Sequence, residues 1–182
     1  MHIDWNKYKI QRALSSEFDT QVISILSGIF DTYHIETSSI FEDKYKCSDF
    51  KVILPSNQIL QIGSRLRKFQ YFQFKNEFTI RVESEYKKIL SGLGDYMLYG
   101  FVDKLENEII KWTLIDLDVF RFYEKDVKKK YLKNDDGGYN LYVFQYSDFP
   151  EQLIYTCFDA STKRMNELNL KYLKTIYEST FP

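Results

Sequence analysis

Two alternating stretches joined by a short turn, within residues 49–68, constrain the fold of this chain more than any other feature. The segment reads DFKVILPSNQILQIGSRLRK, and the turn residues Pro55-Ser56-Asn57 divide it. Apolar side chains recur at every second position on both sides of the turn: Phe50, Val52, Leu54, Leu60, Ile62 and Leu66. Because successive side chains of a strand point to opposite faces, this pattern predicts a β-hairpin with one apolar and one polar face.

The polar face of the predicted hairpin carries the side chains suited to binding or catalysis. Asp49 and Lys51 lie on the first strand, and Gln61 and Arg65 lie on the second. Arg67 and Lys68 follow at the end of the second strand and add positive charge. Carboxylate and amide oxygens are ligands for hard cations such as Mg²⁺, and the basic groups suit phosphate.

Composition limits the classes of protein to consider. A chain of 182 residues with 44% hydrophobic and 28% charged residues fits one globular domain, which we place at residues 1–182. A net charge of −1 gives no global attraction to nucleic acid, so a polyanion site has to be a local patch. With two histidines and two cysteines, a zinc site or a disulfide framework is not expected. We expect a reduced, cytoplasmic setting with no signal peptide or membrane span.

Periodicity elsewhere predicts an α+β fold, with an N-terminal helix followed by a mixed β-sheet flanked by helices. A helical stripe runs through residues 4–34, and residues 36–48 form an aperiodic loop with at most a short strand. The remaining predicted strands cover residues 78–82, 96–102, 109–115 and 139–146, and the remaining helices cover 84–93, 117–130 and 161–178. About five or six strands are therefore expected in the sheet.

The order of these elements resembles the PD-(D/E)xK nuclease superfamily, which has the restriction-endonuclease-like fold. The runs IGSRLRKFQYFQFKNEFTIR and GDYMLYGFVD are similar to a phage- and mobile-element-type branch of that superfamily, and the resemblance covers roughly residues 10–120. It implies an Mg²⁺- or Mn²⁺-dependent endonuclease acting on DNA. On that alignment Glu17, Asp49, Gln61 and Arg65 are the catalytic candidates, Asp49 and Gln61 the metal ligands, and Lys51, Arg67 and Lys68 the DNA contacts.

The chain departs from the family pattern on the second strand. Where the branch carries Gln or Glu before a basic residue, this sequence has Gly63, Ser64 and Arg65. Glycine offers no ligand, and arginine replaces lysine only in part because its guanidinium stays charged and cannot act as a base.

A second register is also compatible with the sequence. The literal pattern (D/E)-x-K occurs at Glu42, Asp49, Glu85 and Asp126, but only Asp49-x-Lys51 opens a convincing strand. In that register Glu36 or Asp43 is the upstream carboxylate, and Arg65 and Arg67 are left to face phosphate.

Non-catalytic readings remain open beside the nuclease. The same fold without catalysis would be a module that binds DNA or a protein partner, for example a phage-type regulator or inhibitor of a defence nuclease, or a subunit of a larger assembly. A homodimer is one option for the oligomeric state. The run RLRKFQYFQFK suits either a platform on which single strands stack or, by the commoner rule, sheet residues packed in the core.

Overall fold

A computed structural model describes residues 17–39, 45–105, 107–133 and 138–160. The α-helices are α1 (Asp19–Ile29), α2 (Lys87–Leu90) and α3 (Leu117–Tyr123). The strands are β1 (His34–Thr37), β2 (Phe50–Ile53), β3 (Ile59–Arg67), β4 (Glu77–Arg81), β5 (Tyr96–Val102), β6 (Ile109–Asp116), β7 (Lys130–Leu132), β8 (Leu141–Gln145) and β9 (Ile154–Asp159). The α+β class is confirmed.

The main sheet has six strands in the order β1-β2-β3-β5-β6-β9. The predicted hairpin is confirmed as β2 and β3, which pair antiparallel with Lys51 opposite Gln61. β5 then lies parallel to β3, with Arg65 beside Tyr99. All other neighbours in this sheet are antiparallel, so the sheet is mixed as expected.

A second sheet of three strands, in the order β4-β8-β7, was not predicted. β4 belongs to the connection between β3 and β5, and it leaves the main sheet to pair with β8. Two irregular turns flank β4: a 3-10 helix over Phe69–Phe74 and a π-helical turn over Val82–Tyr86.

The two faces of the main sheet have different cores. One face packs against α1 through a cluster that includes Val22, Leu26, Phe50, Ile62 and Leu98. The opposite face packs against the second sheet and α3 through a mainly aromatic cluster that includes Phe78, Tyr99, Phe101, Phe120 and Phe144. Phenylalanine and tyrosine therefore supply many members of this cluster, whereas others, such as Tyr33 and Phe122, are exposed.

Phe78 is at the centre of the aromatic cluster. It is fully buried, and its ring centroid lies 5.3 Å from that of Phe144, 5.1 Å from Tyr146 and 6.0 Å from Phe120. Tilted and edge-on ring pairs at such spacings add to the free energy gained by burying their area.

Several boundaries differ from the prediction. The helix expected over residues 117–130 ends at Tyr123, and Lys130–Leu132 instead pairs with β8 as β7. The expected helix after β4 begins as the π-helical turn, and β9 was missed. Only α1 of the helix expected over residues 4–34 falls within the described residues, and the helix expected over 161–178 lies outside them. No helix in the described part of the chain is long and apolar enough to cross a membrane.

We expect Phe78→Ala to lower the free energy of unfolding by about 3–5 kcal/mol, because it leaves a cavity among close-packed rings. Phe122→Ala is the matched control, since that phenylalanine is 70% exposed. Its effect should stay within about 0.5 kcal/mol. Urea denaturation of both variants checks this, and similar losses for the two would contradict the central role of Phe78.

Candidate active site at a polar corner of the main sheet

Polar side chains from β1, β2 and β3 share the face of the main sheet that points away from α1. Lys51 is the direct Cα partner of Glu36 on one side and of Gln61 on the other. Asp49 lies immediately before β2, and its carboxylate is directed to β3. We call Glu36, Asp49, Lys51 and Gln61 the polar corner.

Glu36 and Lys51 form an ion pair within the polar corner. Lys51 Nζ lies 2.5 Å from Glu36 Oε1, and the two side chains are 19% and 43% exposed. Directly opposed residues of neighbouring strands are close enough for such pairing. The arrangement holds the ammonium group over β2 and keeps it accessible to an anion arriving from solvent.

Asp49 is held at the start of β2 by backbone hydrogen bonds on both sides. Its amide donates to Ile62 O at 2.9 Å, and its carbonyl accepts from Ser38 N at 2.8 Å. Ser64 N donates to its carboxylate Oδ2 at 2.6 Å, which orients the side chain toward β3. An ionised carboxylate has about four lone-pair positions, so one such bond does not prevent it from binding a cation.

Gln61 supplies an acceptor that is buried and has no partner. Its side-chain Oε1 is inaccessible to solvent and accepts no hydrogen bond. Its backbone amide donates to Asp95 Oδ2 at 2.6 Å, and its carbonyl accepts from Asp95 N at 2.8 Å. Because a buried amide oxygen without a partner costs free energy, a donor or a cation at this point would be stabilising.

Arg65 lies farther along the same face of β3, where it forms a buried ion pair. Its Nη2 lies 2.6 Å from Glu85 Oε1 and 2.7 Å from Oε2, and its Nη1 donates to Thr79 O at 3.2 Å. The side chains of Arg65 and Glu85 are 9% and 23% exposed. The guanidinium therefore joins β3 to β4 and to the π-helical turn, and its proposed contact with phosphate remains a prediction.

The charge on Glu85 is stabilised by two arginines. Burial alone would raise the pKa of its carboxyl, but Arg65 and Arg81 together hold the pKa below its ordinary value. Arg81 contributes an ion pair at 3.2 Å and a backbone amide that donates to Oε2 at 3.1 Å. No local pattern indicates that Glu85 pairs with Arg65, because the two residues lie on different elements.

Arg67 and Lys68, predicted to bind DNA, lie at the far end of β3. Arg67 Nη1 donates to Thr79 Oγ1 at 3.1 Å, and its guanidinium lies over the ring of Tyr71, 4.4 Å from the ring centroid. Lys68 is exposed immediately after the strand. Their binding role stays a prediction, and both are separated along the strand from the polar corner.

The backbone before β2 leaves little room for a side chain at position 63. A Cβ at residue 63 would lie 3.2 Å from Cys47 O, so the loop carbonyl would have to shift to admit any side chain. Cys47 itself has a positive φ of 53°, and its carbonyl also lies near Gly94, which has a φ of 76°. The family position that would hold a second acidic ligand is thus covered by the loop.

Glu17 is exposed in the turn before α1, and α1 packs against the opposite face of the sheet. The structure therefore places Lys51 opposite Gln61, with Asp49 two residues before Lys51, and it does not place Glu17 among them. Over residues 17–39, 45–105, 107–133 and 138–160, no three His, Cys, Asp or Glu side chains form a metal-binding group. A cation at the corner would depend on Asp49 and Gln61, and the carboxylate of Asp95 lies next to the Gln61 backbone amide.

A weak structural likeness is found among solved structures. The solved structure of a nuclease from a fusselovirus matches 82% of this chain and 88% of its own, at 10% identity and a TM-score of 0.37. That similarity is too low to support a conclusion about fold or function. No protein-family model matches the chain, and no curated protein matches it.

We expect Arg65→Met to lower the free energy of unfolding by about 3–5 kcal/mol, because it leaves the Glu85 carboxylate without its main buried partner. The double variant Arg65→Met/Glu85→Leu should regain part of that loss. Asp118→Asn is the control, since it breaks an ion pair whose carboxylate is 84% exposed. It should cost less than about 1 kcal/mol. Equal losses for Arg65→Met and Asp118→Asn, measured by urea denaturation, would contradict the buried pair.

The lowered pKa of Glu85 also predicts a dependence of stability on pH. Glu85 loses its proton more readily in the folded chain, so its contribution is complete above the unfolded glutamate pKa of about 4.3 and is lost as pH falls through the folded value. The wild type should therefore lose more stability on acidification below that point than Glu85→Gln does. Parallel curves of unfolding free energy against pH for the two proteins would rule this out.

Proposed function

We propose that the chain is a nuclease-like protein that cleaves nucleic-acid phosphodiesters, with DNA as the first candidate, at the polar corner. The observation that supports this most directly is the pairing of Lys51 with Glu36 and with Gln61 on three adjacent strands, with Asp49 immediately before β2. Two carboxylates, one amide oxygen and one ammonium group are the functional groups that metal-assisted phosphodiester hydrolysis needs.

The geometry supports Lys51 more than Arg65 as the cation that contacts phosphate. Lys51 is in the corner beside Glu36, whereas Arg65 is buried against Glu85. A lysine that is shared with a surface carboxylate can exchange that partner for a phosphate oxygen. The guanidinium of Arg65, enclosed by Thr79 and Glu85, would first have to break its buried ion pair, which costs about 3–5 kcal/mol.

Each residue of the corner then has a defined task. Asp49 and Gln61 would hold the cation, because Asp49 is fixed by Ser64 and Gln61 Oε1 is a buried acceptor without a partner. A bound Mg²⁺ or Mn²⁺ would supply Lewis-acid polarisation of the phosphate. Lys51 would neutralise charge that develops on the phosphate oxygens, and Glu36 would orient Lys51.

A non-catalytic module is the second candidate, and two observations favour it. The carbonyl of Cys47 covers Gly63, and Arg65 is committed to Glu85, so both family positions on β3 are used structurally. Such a module would bind DNA or a protein partner, for example as a regulator of a defence nuclease. Titration with metal ions distinguishes the two candidates.

We expect isothermal titration to detect binding of Mg²⁺ or Mn²⁺ to the wild type. Asp49→Asn should weaken it by at least about 10-fold, since replacing even indirect partners of a metal costs that much. Asp148→Asn is the matched control, because this carboxylate is exposed after β8 and belongs to the other sheet. If the wild type binds neither ion, the catalytic proposal fails and the non-catalytic module takes its place.

Lys51→Met should leave cation binding largely intact and reduce metal-dependent cleavage by about 100- to 1,000-fold, the effect of removing one donor that stabilises transition-state charge. Gel assays on labelled single- and double-stranded DNA measure the rate. Lys128→Met, in the exposed run before β7, is the control for general loss of positive charge. Cleavage that survives in Lys51→Met would show that the corner is not the catalytic site.

A further inference from the structure

We propose that an exposed ridge after β3 binds single-stranded nucleic acid by stacking its bases on aromatic rings. The aromatic ridge consists of Arg67, Lys68, Phe69, Tyr71, Phe74 and Lys75, at and around the 3-10 helix Phe69–Phe74. This binding goes beyond the cleavage proposed for the polar corner, because the ridge is a separate surface and needs no metal.

The rings of the ridge are turned to solvent instead of into the core. Phe69, Tyr71 and Phe74 are 43%, 37% and 48% exposed. The commoner interpretation of this aromatic run, as sheet residues in the core, holds only for the packing of Phe72, because the segment is a 3-10 helix without a fully buried residue. Three large exposed rings within six residues provide apolar surface that is available for binding a ligand.

The ridge is pre-organised by one ring that anchors it to the core. Phe72 is half-buried, and its ring lies edge-on to the fully enclosed Phe101 at 5.6 Å. Phe69 lies nearly parallel to Phe72, with 8° between the ring planes and 5.8 Å between centroids. Phe69 is therefore held in a fixed orientation while much of its surface stays open, which lowers the entropy cost of stacking a base on it.

Positive charge accompanies the rings. The Arg67 guanidinium covers one side of Tyr71, and Lys75 Nζ lies 5.2 Å from the centroid of Phe72. Lys68 is exposed between Arg67 and Phe69. One carboxylate, Asp159, lies 3.5 Å from Lys75 and offsets part of this charge. Rings with cations on either side suit a chain of bases and phosphates. A protein partner of ordinary composition would not require the cations.

Single strands fit the ridge better than a duplex does. Bases in a duplex are stacked on one another and present only their edges, so exposed rings gain little there. In a single strand every base offers a face, and stacking is tolerant of sequence. The ridge is separate from the polar corner: Arg67 lies six residues beyond Gln61 on β3, about 20 Å along the strand, and the buried Arg65–Glu85 ion pair lies between them.

The test is fluorescence anisotropy with a labelled oligothymidylate of about 16 nucleotides, a length that matches the larger single-strand sites. Measurements in EDTA keep any metal-dependent chemistry at the corner silent. We expect Tyr71→Ala and Phe74→Ala each to weaken binding by about 5- to 150-fold, as removal of a stacked ring does. Phe122→Ala, which removes a 70% exposed ring from α3, is the matched control and should leave binding unchanged.

Two further measurements define the outcome. Binding should weaken with added salt, with a slope of about −0.7 for each phosphate contact, and a duplex of the same length should compete poorly. The proposal is overturned if the oligonucleotide does not bind, if ring removal has no effect, or if the variants instead lose self-association in sedimentation velocity. Because these readouts need no metal, they separate failure of the ridge from failure of the polar corner, and Tyr71→Ala should still bind Mn²⁺ as the wild type does.

Discussion

The burial of one arginine between the two sheets is the constraint on which this part of the structure depends. A guanidinium at this depth is tolerated only when its donors are satisfied and its charge is paired. Arg65 meets this requirement with Thr79 from β4 and Glu85 from the π-helical turn. The connection between β3 and β5 must therefore return across the main sheet at a fixed distance, and the second sheet is fixed in position with it.

The face of the main sheet that carries Arg65 has two parts, one for apolar packing and one for the proposed chemistry. Toward β5 and β6 it carries aromatic side chains that pack on Phe78 and its neighbours. Toward β1 and β2, Glu36, Lys51 and Gln61 lie opposite one another on neighbouring strands. Arg65 lies between the two regions, which explains why it is a structural residue more than a phosphate contact. Rigid strands on both sides give the polar corner the fixed geometry that a binding or catalytic site needs.

Local sequence patterns predicted the elements that depend on neighbouring residues alone. The hairpin β2–β3 and the strand β5 were recognised because alternation and turn chemistry are properties of a few neighbouring residues. β7 was mistaken for the end of a helix because Lys130–Leu132 becomes a strand only by pairing with β8, which periodicity does not reveal.

The candidate site was predicted in the same uneven way. Asp49, Lys51 and Gln61 were placed on one face by the alternation, and the structure pairs Lys51 with Gln61 while Asp49 precedes β2. The partners Glu85 and Asp95 and the exposure of Phe69–Phe74 follow from long-range packing, and no feature of a single sequence identifies them. Contacts between residues distant in sequence therefore decide which basic side chains of the hairpin are available to bind a ligand and which already have a structural role.

The close approach of Cys47 to Gly63 has a consequence for how related sequences can differ. The carbonyl oxygen lies 3.2 Å from where a Cβ would begin, and Cys47 reaches that point through a left-handed backbone conformation. An acidic residue at position 63 would place negative charge beside that oxygen, so it is compatible only with a different loop before β2. The two positions should consequently change together during evolution: homologues with a longer side chain at 63 are expected to carry an altered segment at 45–48, and neither change is neutral without the other.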